Sequence, residues 1–201
     1  MLAVAMLLLC TQTLAQGKGP LSITDNDDEK RLEHYISTGL EVGGQIDTRD
    51  FVYKSGFNVQ YSVEKAISNR LSYGLGTGYT QWQEESFVPV FALFRGLLSK
   101  KTGATFISAR LGYAFGWNNN IDYFLGYDYR GGLMFSPGVG KKFVIDDKYA
   151  IMFSMNYKHQ FATIEYNTLD NNSYEEQLNY DLLVFKLSFG IIKPLGEKDD
   201  D

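Results

Sequence analysis

From about residue 34 to residue 193 the chain alternates apolar and polar residues, with Tyr and Phe recurring and small residues between them. Phe57-Asn58-Val59-Gln60-Tyr61-Ser62-Val63-Glu64 carries the pattern, and so does Ile107-Ser108-Ala109-Arg110-Leu111-Gly112-Tyr113. A period of two sends successive side chains to opposite faces of a strand, so one face is apolar and the other polar. About eight such stretches follow one another with no helical interlude. The chain of 201 residues fits one all-β unit. Tyr and Phe far outnumber Trp, a bias that suits strands.

Strands are predicted near 34–45, 55–65, 70–81, 87–98, 104–117, 131–143, 150–162 and 181–193. The connections after the second, fourth and sixth are short: Ala66 to Asn69, Ser99 to Gly103 and Val144 to Tyr149. Those after the first, third, fifth and seventh tend to be longer and richer in Asn, Asp, Glu and aromatics. Residues 118–130 and 163–180 are the two largest, and 82–86 is modest. Short turns on one side and longer loops on the other characterise an outer-membrane barrel, with the short side facing the periplasm. An even strand number then leaves both termini on the short-turn side. Strand length agrees, because a tilted membrane strand needs about 9–11 residues, whereas soluble sheets average about 5–6. The expected architecture is therefore an all-β, antiparallel, up-and-down transmembrane barrel of about eight strands.

The alternation also assigns faces. The outward set includes Ile36, Leu40, Phe57, Val59, Leu71, Leu75, Tyr79, Ile107, Leu111, Phe153, Met155, Leu183, Phe185, Leu187 and Phe189. Almost no charge falls in it, as lipid requires. The inward set is small or polar, including Ser37, Gly39, Asn58, Gln60, Gly74, Gly76, Gly78, Ser154 and Asn156. Strand four is apolar on both faces; placing Arg95 inward makes Val90, Ala92 and Phe94 its lipid face. Strand six contains Pro137, which donates no ladder hydrogen bond, so a bulge is expected there. A soluble barrel would invert the assignment. Its water-facing surface would then be rich in Gly and poor in Lys and Glu, where roughly a quarter to a third of a soluble surface is charged. About eight strands also enclose too little space for so many Tyr and Phe.

Residues 1–15 are apolar and uncharged, and read as a secretory signal peptide cut after Ala15. The missing basic n-region suggests a start assigned late. Fifteen residues fall short of the roughly 20 that a spanning helix needs. The single cysteine, Cys10, lies in this segment; Leu9 before it, where a small residue is wanted, counts against lipid attachment. Residues 16–32 read as a flexible lead-in, 33–193 as the barrel, and 194–201 as a solvated acidic tail. The net charge of −5 and the lack of a basic stripe argue against a nucleic-acid partner.

Catalytic, cofactor and metal motifs are not found. Gly74-Leu75-Gly76-Thr77-Gly78 lacks the strand-to-helix context of a nucleotide loop and reads as small interior positions. Ser136-Pro137-Gly138-Val139-Gly140-Lys141-Lys142 lacks the spacing of a phosphate loop. His159 has Phe161, not a serine, two residues on, and by parity faces outward at the interface, so a lipid-modifying site is not expected. The constellation with most physical content is Glu41 and Glu64 against Arg95, Arg110, Lys158 and Lys186, all inward. Charges enclosed in a narrow barrel must pair, so a salt-bridge network plugging the lumen is expected; a gated ion path is the alternative. Tyr79, Trp82, Trp117, Tyr123 and Tyr127, with Tyr129 and Tyr166, fall at the long-loop ends, where an interfacial aromatic girdle is expected. The two largest loops carry Asp122, Asp128, Glu165, Asp170, Glu175 and Glu176, which makes the outer surface acidic.

The stretch Leu133-Met134-Phe135-Ser136-Pro137-Gly138-Val139-Gly140-Lys141-Lys142-Phe143, followed by Tyr149 to Tyr157, resembles a unit of small outer-membrane β-barrel proteins of Bacteroidetes type, with an OmpA/OmpX-like barrel. The resemblance implies a Gram-negative outer-membrane location and contact with membrane lipid and, during biogenesis, with the barrel-assembly machinery. Such barrels often end on an aromatic residue; here Pro194 and an acidic tail follow, so Phe185, Phe189 and Ile191 would carry that signal. The expected role is structural, adhesive or loop-mediated, through 118–130 and 163–180, and non-enzymatic. A narrow pore or hydrophobic-molecule conduit, and a soluble periplasmic ligand-binding barrel, are the alternatives.

Overall fold

The computed structural model describes residues 31–46, 51–68, 70–99, 103–118, 127–145, 148–167 and 173–194. The expected signal peptide, most of the lead-in and the tail beyond Pro194 lie outside them, as does Tyr123. Eight strands follow in chain order: β1 (Arg31–Ile46), β2 (Phe51–Ala66), β3 (Leu71–Trp82), β4 (Glu85–Leu97), β5 (Ala104–Asn118), β6 (Tyr127–Val144), β7 (Tyr149–Asn167) and β8 (Ser173–Pro194). Each pairs antiparallel with its sequence neighbour, and β8 pairs with β1 to close the barrel. Closure removes the exposed strand edges that an open sheet would leave.

The closure is staggered. Following paired residues round the barrel from Tyr35 through Ser62, Gly76, Phe91, Gly112, Met134, Gln160 and Tyr180 returns to β1 at Gln45, ten residues above the start. Such a shear tilts the strands and sets the bore. It also brings side chains far apart in sequence to one level of the lumen. The short connections β2–β3, β4–β5 and β6–β7 lie at the same end as Arg31 and Pro194. Gly103, at φ 82°, supplies the left-handed residue of the β4–β5 turn.

Alternation resolves into apolar outside and polar inside. Leu75 is 69% exposed, Leu40 64%, Ile36 62% and Leu111 61%, while Glu41, Glu64, Asn58 and Gln160 are buried. On β4, Val90 and Phe94 face out and Arg95 faces in, as the Arg95 parity requires.

Four expectations change. The stretch 163–180 is mostly hairpin rather than loop, with β7 reaching Asn167 and β8 starting at Ser173. Tyr166 and Tyr174 stack across it with ring centroids 5.7 Å apart. Its signal is inverted rather than absent: here the inward Ala162, Ile164, Leu178 and Tyr180 are apolar and the outward Thr163, Glu165, Glu175 and Gln177 polar, the reverse of the apolar-out belt below. Likewise 118–130 gives up its last residues to β6, and 82–86 tightens to a turn of Gln83 and Glu84 between Trp82 and Glu85. Third, β1 starts at Arg31, inside the expected lead-in.

Fourth, the bulge of β6 lies between Gly131 and Met134, not at Pro137. The β5 ladder runs straight through Ala109↔Pro137, and β7 pairing resumes at Gly138↔Asn156 in the register it had at Met134↔Gln160. Pro137 omits a donor without inserting a residue. The true bulge reverses which parity points inward. Below it Met134 and Ser136 are buried; above it Tyr129 is buried and Arg130 exposed.

Interior glycines make room for large neighbours. A Cβ on Gly76 would come within 2.6 Å of the Phe91 ring, whereas one on Gly96 would meet nothing nearer than 3.5 Å. Gly76→Val is expected to lower stability by about 1–3 kcal/mol through overpacking, with Gly96→Ala close to neutral. Urea midpoints of the two folded barrels, followed by Trp fluorescence, make the comparison.

Candidate functional site

The lumen is layered. At the end away from the termini, Trp82, Phe87, Tyr129 and Tyr180 are each at most 3% exposed. Trp82 packs 4.5 Å from Phe87 and 4.9 Å from Tyr180 between ring centroids, and the Tyr129 and Tyr180 hydroxyls meet at 3.2 Å. Leu178, Leu182, Val184 and Met134 extend this plug. At the opposite end, Tyr35, Phe106, Ala150, Met152 and Ile192 form a second apolar cluster, with Leu97 against it.

Trp82 is thus a correction: expected in the interfacial girdle, it is fully enclosed. Its even number on β3 puts it on the face of Gly74, Gly76 and Gly78, so parity had the answer that its position near a loop concealed. Tyr79 and Trp117 do lie on the outer face, 6.3 Å apart between rings, with Phe57 6.4 Å from Tyr79. Tyr149 stacks on Phe189 at 5.8 Å near the other end. Tyr127 opens β6.

Between the apolar ends lie the charges. Glu41 accepts from Asn58 Nδ2 at 2.8 Å and from Trp82 Nε1 at 2.7 Å, and pairs with Lys158 at 3.1 Å. Lys158 Nζ also sits 4.9 Å above the Trp82 ring. Glu64 pairs with Arg95 at 2.8 Å, and the Arg95 guanidinium lies over the rings of Phe106 at 4.8 Å and Tyr35 at 5.1 Å. Arg110 and Lys186, expected in the same network, meet a neutral group instead: Gln60 Oε1 accepts from Lys186 at 2.6 Å and Arg110 at 3.4 Å.

Two further pairs were missed in the sequence, Lys54–Glu85 at 2.6 Å and Lys142–Glu33 at 2.7 Å. Inward parity predicts all four residues, but each stands near a strand end, where the face assignment fades. Such pairs hold the wall rigid more than they stabilise it, because desolvation offsets most of the Coulomb gain. Breaking one is costly, since a buried charge is left alone.

On the outer face, His159 Nδ1 meets Asp181 at 2.7 Å, Tyr157 OH donates to the same carboxylate, and Phe161 stands edge-on to the imidazole. Among the described residues no group of His, Cys, Asp and Glu has the arrangement of a metal site.

No protein-family model and no curated protein sequence matches the chain. Solved structures match its fold. The outer membrane protein AlkL, determined by solid-state NMR in DMPC lipid bilayers, is 9% identical with a TM-score of 0.58, over 92% of this chain and 99% of that one. The outer membrane protein OprG from Pseudomonas aeruginosa is 6% identical with a TM-score of 0.53, over 87% and 100%. Neisserial surface protein A is 8% identical with a TM-score of 0.50, over 85% and 100%. The chain therefore has the fold of small eight-stranded outer-membrane barrels. The Bacteroidetes-type detail of the resemblance finds no counterpart among these three.

Proposed function

We propose that this chain is an outer-membrane β-barrel of a Gram-negative bacterium whose lumen is sealed, and that it anchors and displays the hairpins at its Trp82 end to an extracellular partner without catalysing a reaction. One observation carries the reading: an apolar outer face surrounds a bore filled by the Trp82–Phe87–Tyr180 plug and by buried ion pairs. An exposed apolar surface this continuous has no place in water. The short-turn end and both described termini then face the periplasm, and the β7–β8 hairpin projects outward.

The chemistry of that hairpin supports a basic partner. Glu175 and Glu176 are exposed, Glu165 is held by Arg130 at 2.9 Å, and the stacked Tyr166 and Tyr174 add an aromatic surface. An acidic, tyrosine-bearing strand pair suits a basic protein segment. Membrane lipid covers the belt, and the assembly machinery meets the outward Phe185, Phe189 and Ile191 of β8 during insertion.

In planar bilayers the folded protein is expected to be electrically silent. Steady single-channel conductance would replace this reading with the narrow pore. Cell fractionation with a heat-modifiable gel shift tests the setting: recovery of the protein in the soluble periplasmic fraction would instead favour the ligand-binding barrel.

A further inference from the structure

The lumen is not charge-balanced. Among the described residues it buries six cationic side chains, Lys54, Arg95, Arg110, Lys142, Lys158 and Lys186, against four carboxylates, the buried Glu41, Glu64 and Glu85 and the half-buried Glu33. Each carboxylate is engaged by one cation, Glu33 by Lys142, Glu41 by Lys158, Glu64 by Arg95 and Glu85 by Lys54. Arg110 and Lys186 are left over, each 6% exposed.

They come from opposite parts of the wall, β5 and β8, and converge with β2 on a single amide oxygen, Gln60 Oε1. A neutral carbonyl orients two cations but neutralises neither. Glu41 attracts both through space and Glu64 attracts Arg110, but these carboxylates are already bonded to Lys158 and Arg95, and burying like charges together with no carboxylate of their own is costly. Donor capacity is also unspent: Arg110 Nε and the Ser108 hydroxyl are buried without a hydrogen-bond partner, and Lys186 has three ammonium protons of which Gln60 takes one.

We propose that Arg110 and Lys186 hold a small inorganic anion of the chloride class in the middle of the lumen. The ligand must be small because the two cations already converge on one amide oxygen, at 2.6 Å from Lys186 and 3.4 Å from Arg110. Walled between two apolar ends, the anion is a resident counter-ion and not a transported one. The site stands independently of the display role, which conductance and fractionation test.

The experiment uses the full chain folded in detergent micelles, at constant pH and ionic strength, with sodium chloride replacing sodium gluconate. Loss of the folded gel band on heating is the readout. The melting temperature is expected to climb by a few degrees with chloride and then level off as the site fills, by mass action. Gln60→Glu places a carboxylate between the two cations. It is expected to raise the melting temperature in gluconate and abolish the chloride dependence. Lys186→Met, which removes one leftover charge, is expected to abolish that dependence too, and serves if Gln60→Glu does not fold. Equal melting of the wild type in both salts, or a chloride response that survives in the folded variants, overturns the site.

Discussion

Glu41→Ala is expected to destabilise the folded barrel by about 3–5 kcal/mol. Three donors lose their acceptor at once: Lys158 Nζ, Asn58 Nδ2 and Trp82 Nε1. The ammonium is then buried without a counter-charge, and the indole that anchors the plug is left without its acceptor. Most of this cost lies in the stranded cation. The double variant Glu41→Ala/Lys158→Met should therefore recover much of the loss, because replacing both members of a buried pair by apolar groups is often close to neutral. Urea-driven unfolding in lipid vesicles, arranged as a double-mutant cycle, reads both numbers. A cost of only about 0–1 kcal/mol for the single variant is the size of a solvated pair. It would mean that water fills the lumen, and the sealed-barrel reading would fall with it.

Leu75→Arg should cost about 2–4 kcal/mol, whereas Leu71→Arg on the same strand should cost about 0–1 kcal/mol. Both leucines face outward, 69% and 54% exposed, so in water the two substitutions would be equally mild. In lipid they differ by depth. Leu71 opens β3 at the short-turn rim, where an arginine can extend to the headgroups. Leu75 lies four residues, two pleat repeats, further along β3, within hydrocarbon. Folding yield into vesicles and the urea midpoint measure the difference. Equal, small costs at both positions would be the signature of a water-facing outer surface.

The outward arrangement of β3 was legible in sequence because lipid acts on each strand separately. Leu71, Tyr73, Leu75 and Tyr79 face out whatever the neighbouring strands do, and one-residue parity records it. The same parity places Glu41, Glu64, Arg95, Arg110, Lys158 and Lys186 inside. Legibility failed where that local rule is interrupted. Tyr129 lies above the Gly131–Met134 bulge, which exchanges the faces of β6; the Gly131-Gly132 pair is the bulge signal in that stretch, but Pro137 competes with it. Trp82 was misplaced by giving its nearness to a turn more weight than its parity.

Sequence alone thus determined the barrel class and the direction of its apolar face, since both arise from a two-residue period imposed strand by strand. Tertiary structure decided who meets whom inside. Glu41 and Lys158 are 117 residues apart, and only the ten-residue stagger of closure brings them to one level. The same stagger assigns all four carboxylates to other cations and leaves Arg110 and Lys186 facing each other across Gln60. Alternation is a property of a single strand; pairing across a closed barrel depends on the register of all eight.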